Sequence, residues 1–189
     1  MDKRKKGKNY TLITTLYLTV AFALFFAVML FTGYETEYID NPTQLENFDF
    51  SSRLVSLSPA LFEKYPEALY SPEDFLNERA TPSFSTRNYQ FVTYRLVLPL
   101  QEGEVYGISG HSATHAMTLW VDGVMLYSVG VPGNSLETMT TGVSYFAAYF
   151  TARSVPTEII IQRSSFVHAD GGQLNTVYLG AQSLIAGTK

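Results

Sequence analysis

The sequence contains no cysteine. A disulfide framework and a thiolate metal site are therefore excluded. A reduced compartment and the surface of a Gram-positive-type cell both tolerate that absence. Tryptophan occurs once, at Trp120, and charged residues make up only 16% of the 189 positions. No G-x-S-x-G elbow is present, and no glycine-rich phosphate loop carrying a lysine. Glu63, Glu73 and Asp74 are the acids nearest to a glycosidase pair. Glu73 and Asp74 are adjacent, however, and sit where carboxylates favour the positive end of a helix. No catalytic constellation emerges, so the chain reads as a non-enzyme with no cofactor.

Aromatic residues are plentiful, at 14%, with 13 Tyr and 13 Phe. They suit strands. The formal net charge of -4 hides an asymmetry. Lys3, Arg4, Lys5, Lys6 and Lys8 crowd the first ten residues against Asp2. Taking these away leaves 13 less 5, or 8, basic groups and 17 less 1, or 16, acidic groups: a net of -8 for the rest. An acidic body without clustered Lys and Arg does not fit nucleic-acid binding.

From Thr11 to Thr32 there is no charged residue. Roughly 20 apolar residues in a helix cross a ~30 Å hydrocarbon core. Tyr10 and Tyr34 stand at the two ends, where aromatic belts lie. A cleaved signal peptide has a shorter apolar run and a small-x-small cleavage site. This run ends Met29-Leu30-Phe31-Thr32-Gly33-Tyr34 and has no such pattern. The expectation is a basic cytoplasmic tail over 1–10, a single transmembrane helix over 11–33 held in the lipid bilayer, and everything after it outside the cell.

Residues 34–53 are polar and acidic, with Asp40-Asn41-Pro42 as a turn signal, and read as a linker that packs on the domain through Phe48 and Phe50. The domain itself is expected over 54–186. Leu54–Phe62 suits a first strand interrupted by Pro59. Ser71-Pro72-Glu73-Asp74 marks a short helix ending near Glu78. In Gln90–Leu98, Val92, Tyr94, Leu96 and Leu98 share one face, and Phe91, Thr93, Arg95 and Val97 the other. Glu104–Ile108, Ala116–Val121, Val124–Val129, Ser144–Thr151, Glu158–Arg163 and Thr176–Gly180 supply further strands. Asp122-Gly123 is a hairpin turn in which both residues need positive φ. No apolar repeat of helical period follows residue 80. The sum is a mainly β fold, an antiparallel sandwich of seven or eight strands.

Phe62-Glu63-Lys64-Tyr65-Pro66, Leu69-Tyr70-Ser71-Pro72-Glu73-Asp74-Phe75, Tyr94-Arg95-Leu96, and Trp120-Val121-Asp122-Gly123 with Gly130 and Pro132-Gly133 follow one another in that order. The chain closes with Glu158-Ile159-Ile160-Ile161-Gln162, Ser165-Phe166, His168, Gly171-Gly172 and Leu179-Gly180. This order resembles a galactose-binding-like jelly roll. More narrowly, it resembles the extracytoplasmic sensor domain of bacterial membrane receptors, such as sensor histidine kinases and seven-transmembrane receptors with diverse intracellular modules. The resemblance covers residues 50–186. It implies a ligand-sensing domain whose ligand is a carbohydrate or small metabolite. It also implies a homodimer or a membrane receptor as partner. The sequence ends at Lys189, before any kinase, cyclase or phosphatase module, so no signalling output is implied for it.

Five residues are candidates for ligand contact: Arg95, Trp120, Asn134, His168 and Asp170. Arg95 can meet a carboxylate bidentately, or pair with Glu158 on a neighbouring strand. Trp120 can offer a stacking platform or fill the core. Asn134 lies in the loop Val131–Ser135. His168 and Asp170 flank Ala169 before Gly171-Gly172, which reads either as a ligand-facing or cation-binding loop, or as a turn whose glycines supply positive φ. His111 and His115 stand four apart. On a strand with a ~3.3 Å rise that is about 13 Å, too far for one ion, and no metal site is expected. A surface interaction module without a small ligand is the alternative reading, and an anchored glycosidase fragment is a third.

Overall fold

The computed structural model describes residues 3–31, 36–46, 48–83 and 87–186. Two units follow one another along the chain, Met1–Glu35 and Thr36–Lys189. The first holds one helix, α1, over Lys3–Phe31. Its side chains are described from residue 13 to 27. Ile13, Leu16, Leu18, Phe22 and Phe25 are all more than half exposed. Thr19 gives its hydroxyl proton to the Thr15 carbonyl at 2.9 Å, one turn back. Among the described residues no helix is long and apolar enough to cross a membrane. Residues 32–33, the end of the expected span, lie outside the described residues.

In the second unit the alternation of apolar and polar residues resolves into two sheets. The front sheet runs β1 (Thr36–Ile39), β2 (Leu54–Leu57), β9 (Val177–Ala181), the first half of β5 (Val105–Val121) and β7 (Gly142–Thr151). The back sheet runs β3 (Glu63–Pro66), β4 (Phe91–Leu98), β8 (Thr157–Ser164), the second half of β5 and β6 (Val124–Val129). All pairings are antiparallel except β1 with β2. The fold is thus mainly β, a two-sheet sandwich of jelly-roll type with short helices.

Glu104–Ile108 and Ala116–Val121, expected as two strands, are parts of one. β5 keeps its backbone direction across a register shift between Ser112 and His115. Thr114 there takes φ 56, a conformation a β-branched residue rarely adopts. Such a bulge bends a strand and tightens its twist, and here it lets β5 leave the front sheet and enter the back one.

The inward faces interleave to form the core. Val92, Tyr94, Leu96 and Leu98 of β4 point inward as their spacing predicts, at 0%, 3%, 5% and 0% exposure. Ile159 and Ile161 of β8 and Leu119 of β5 are fully buried beside them. Each such side chain stabilises the fold by about 1.5–3 kcal/mol. Tyr127 of β6 stacks on Phe146 of β7 at 5.2 Å, joining the two sheets.

The stretch read as a linker builds part of the sandwich. Thr36–Ile39 lines up on β2, a short helix α2 (Pro42–Leu45) follows, Ile39 is fully buried, and Leu45 and Phe50 are at 5% and 3% exposure. Apolar residues set among polar ones conceal such an edge strand. The expected strand Leu54–Phe62 breaks at Pro59. β2 ends at Leu57, Pro59–Leu61 form a 3₁₀ turn capped by the Ser58 hydroxyl, and β3 begins in the other sheet. Proline has no N–H to continue a ladder. The helix marked by Ser71 forms as α3, Pro72–Leu76. Its first turn is closed by the Asp74 carboxylate, which accepts from the Ser71 N–H at 2.9 Å and hydroxyl at 2.8 Å. Those hydrogen bonds hold the Asp74 pKa below the usual carboxylate value. The Asp122-Gly123 hairpin has φ 46 and 76, both positive as expected.

Candidate functional site

Each strand of a sandwich shows one face to the core and one outward, so the outward residues of the front sheet can be read off its registers. One cross-strand row is Tyr38, Ser56, Tyr178, Ser109, Ala147. The next row toward one end holds His111 and Tyr145, and toward the other Gly107 and Tyr149. Tyrosines therefore alternate with Ser, Gly and Ala across the whole sheet. Tyr38 and Tyr178 are two strands apart, roughly 9–10 Å at the usual inter-strand spacing. They are 57% and 38% exposed, and Tyr145, on the edge strand, is 82% exposed. The small residues between them leave the rings standing above a low floor.

Two clefts, of about 880 and 420 Å³, open on this face and share Gly110, Tyr145 and Tyr178. Both lie in the volume range of small-ligand sites. The larger reaches Thr36, Leu54 and Ser109; the smaller is closed by Pro59, Leu174 and Asn175. The described lining includes no Asp, Glu, Lys or Arg. The His111 ring lies 4.8 Å from that of Tyr145, and Asn175 donates to the His111 carbonyl at 3.3 Å. At one end α4 (Gln182–Ala186) covers Gly107. A Cβ on that glycine would come within 2.7 Å of the Ile185 side chain, so only glycine admits the helix there.

The five residues singled out in the sequence are not part of this face, and the structure does not gather them. Arg95 and Trp120 share a row on the outer side of the back sheet, separated by the buried Ile160. Arg95 takes the structural alternative. Its Nε donates to Glu158 at 2.6 Å and its Nη1 to Glu63 at 3.1 Å, while its guanidinium lies 5.3 Å from the Phe75 ring centre. Tyr65 donates to the same Glu63 at 2.7 Å, and burial, with that bond and charge behind it, pushes its pKa up to about 12. The fork of Arg95 is thus occupied by two carboxylates. Trp120 is half-buried and faces outward, neither a core filler nor an open platform.

Asn134 is exposed and accepts from the Thr138 hydroxyl at 3.3 Å, within its own loop. His168 and Asp170 form a turn. The Asp170 N–H donates to His168 Nδ1 at 3.2 Å, the carboxylate is 3.3 Å from the same nitrogen, and the Gly171 N–H returns to the His168 carbonyl at 3.1 Å. Gly171 supplies the positive φ of 57. Gly172 does not share it: its role is close approach, with an added Cβ falling 2.9 Å from the Arg163 carbonyl. His111 and His115 lie on opposite sides of the β5 bulge. The first packs on Tyr145, and the second is buried with its ring 5.6 Å from His168. Among the described residues no three His, Asp or Glu are grouped to hold a metal ion.

Sequence reading overlooked the tyrosines, although one signal was available. β7 reads Tyr145-Phe146-Ala147-Ala148-Tyr149-Phe150, with aromatic residues on both faces. A strand with one face in water has no need of aromatics there.

No protein-family model matches the sequence, and no curated protein matches it. Among solved structures, a GH2 beta-galacturonidase from Eisenbergiella tayi bound to galacturonate is similar over 71% of this chain and 26% of its own, at 11% identity and a TM-score of 0.41. The same kind of enzyme from that organism bound to glycerol gives 12% identity, with the same coverage and score. A Faecalibacterium prausnitzii beta-glucuronidase is similar over 55% of this chain and 20% of its own, at 15% identity and a TM-score of 0.33. The chain spans about a quarter of the length of the galacturonidase and a fifth of the glucuronidase.

Proposed function

We propose that this chain is a membrane-anchored, extracytoplasmic binding domain that takes a neutral carbohydrate on the tyrosine face of its front sheet. The observation that carries the reading is that face: exposed tyrosines over a floor of Ser, Gly and Ala, beside clefts whose described lining holds no charged residue. A tyrosine ring packs its apolar face on an apolar one and keeps a hydroxyl for hydrogen bonding. A sugar needs both: its C–H faces lie on rings, and its hydroxyls meet Ser109, Asn175 and the tyrosine hydroxyls. The absence of Lys and Arg from the lining fits an uncharged ligand.

The anchor is α1. The sequence carries this reading: Thr11–Thr32 holds no charged residue and is of the ~20-residue length that crosses a hydrocarbon core, although among the described residues alone no helix is long and apolar enough to do so. Its described apolar side chains, from Ile13 to Phe26, are exposed, and Thr19 satisfies its hydroxyl within the helix, as lipid requires. The cationic cluster at Lys3–Lys8 sets its orientation, leaving residues 36–189 outside. Placed there, the domain serves as the N-terminal sensor part of a signalling receptor. Ligand occupancy of the tyrosine face would bias the arrangement of membrane helices, in a homodimer or in a partner receptor. In cell fractions the chain is expected in carbonate-washed membranes, with residues 36–189 cleaved by protease added outside intact cells. Recovery in the soluble fraction, or protection of Trp120 from external protease in intact cells that releases in permeabilised ones, sinks the anchor.

For the ligand, the test is titration of neutral mono- and oligosaccharides into the full chain in micelles, read by thermal shift and tyrosine fluorescence. Tyr178→Ala is expected to weaken binding at least 10-fold, since loss of a central aromatic contact commonly costs about 2 kcal/mol. Tyr178→Phe is expected to retain most of the affinity. Binding that ignores both Tyr178→Ala and Tyr145→Ala puts the site elsewhere. The second reading, a protein interface, is favoured by the edge position of β7, where Val143 and Tyr145 are 74% and 82% exposed. In that case no saccharide shifts the transition at millimolar concentration, and Tyr145→Ala instead lowers the mass of the complex extracted from membranes.

A further inference from the structure

Arg163 is the anomaly of the core. It stands on the inner face of β8, in a row with Val92, Met117 and Val129, and is 1% exposed. A buried guanidinium is costly unless paired and hydrogen-bonded. Arg95 meets that demand with two carboxylates. Arg163 does not: its Nε and Nη2 have no hydrogen-bond partner among the described residues. These two nitrogens lie on the same edge of the guanidinium. Together they present the parallel pair of N–H donors that a carboxylate or another planar oxyanion engages bidentately.

A third donor stands nearby. Tyr94, two residues from Val92 on the same inward face, is close enough to Arg163 for each to bear on the other's titration. Its hydroxyl oxygen accepts the Leu174 N–H at 3.2 Å, which leaves its own proton to give. Burial pushes the Arg163 pKa down to about 10, so the cation persists at neutral pH. Arg163 and Tyr94, diagonal neighbours on the inner face of β8 and β4, thus bring donors and a positive charge together, and among the described residues Nε and Nη2 of Arg163 meet no acceptor.

The way in is also marked. Leu174 ties its backbone to Tyr94 and at the same time lines the 420 Å³ cleft at the end of the tyrosine face. Leu174 thus touches both Tyr94 and the cleft. We infer that Arg163 is a receptor for a carboxylate or similarly planar oxyanion, which reaches it past Leu174 and is held by Nε, Nη2 and the Tyr94 hydroxyl. This site is separate from the neutral-ligand reading of the tyrosine face and stands if that reading fails.

The test is thermal unfolding of the full chain in micelles, in sodium formate against sodium chloride at equal ionic strength. Formate at a hundred times its dissociation constant is expected to raise the transition of the wild-type chain by about 5 °C over chloride. Arg163→Met is expected to lose that difference. A sodium hexuronate arm separates the sources: a larger shift than formate assigns the site to a sugar acid, and a smaller one to a small carboxylate. Equal transitions in formate and chloride overturn the proposal, and so does a formate shift that survives in Arg163→Met. Should that variant not fold, the Arg163 Nε–H resonance of the ¹⁵N-labelled wild-type chain decides. Movement on adding formate supports the site, and an unmoved resonance at saturating formate refutes it.

Discussion

Asp122→Ala is expected to lower the unfolding free energy of the β domain by about 3 kcal/mol, and its transition by roughly 6–12 °C. The carboxylate works well beyond its own turn. It accepts the Glu158 N–H and the Ser154 hydroxyl, each at 2.9 Å, and the Arg153 N–H at 3.2 Å, while the Asp122 N–H returns to the Glu158 carbonyl at 2.9 Å. One side chain thus fastens the β5–β6 hairpin to the segment joining β7 to β8. Removing it leaves those N–H groups without their acceptor, and hydrogen bonds to a charged group contribute about 1.5–3 kcal/mol. Alanine must also adopt φ 46, which an L-residue other than Gly, Asn or Asp does at a cost of about 1–2 kcal/mol. Asp122→Asn keeps the backbone tolerance and one acceptor oxygen, so it should lose roughly half as much. Urea unfolding of the two variants beside the wild-type chain measures both terms. A loss below about 1 kcal/mol for Asp122→Ala means that the clamp is not made in solution.

That residue shows where sequence reading reaches and where it stops. The turn at Asp122-Gly123 was legible because two residues fix its chemistry locally. The clamp was not, because its partners lie more than thirty positions away and carry no motif. The same division runs through the fold. Inward faces such as Val92, Tyr94, Leu96 and Leu98 follow from period two, since one strand alone declares which side is apolar. The union of two segments into β5 does not, because Thr114 and its bulge look like a loop in one dimension. The tyrosine face was hidden for a related reason. It is assembled from Tyr38, Tyr178 and Tyr145 on three strands that are neighbours only through β2 and the first half of β5. Residues conspicuous in the sequence, such as Arg95 and the only tryptophan, proved to belong to an ion-pair network and to the other sheet.

Gly130→Ala is expected to be at least as damaging as loss of Asp122, about 3 kcal/mol or more, and by a different cause. Gly130 takes φ 63, and a Cβ added there would collide with the Thr140 carbonyl oxygen and lie 3.1 Å from the Gly142 nitrogen. The Thr140 oxygen is held in place. The Thr140 carbonyl accepts the Val131 N–H at 2.9 Å and the Thr140 N–H returns to Val131 at 3.1 Å, closing the loop on itself. Gly123→Ala is the control. It too has positive φ, 76, but nothing lies within 4 Å of the added Cβ. That variant should lose only the backbone term of about 1–2 kcal/mol, and the excess in Gly130→Ala measures the collision. Equal losses would show that the loop yields. The loop carries Asn134 and is tied to β8 by the Gly133 N–H on the Ser164 hydroxyl at 3.1 Å, on the back sheet. Saccharide binding at Tyr178 should therefore survive in the folded fraction of Gly130→Ala. A loss of affinity there would move the ligand toward Asn134 and away from the tyrosine face.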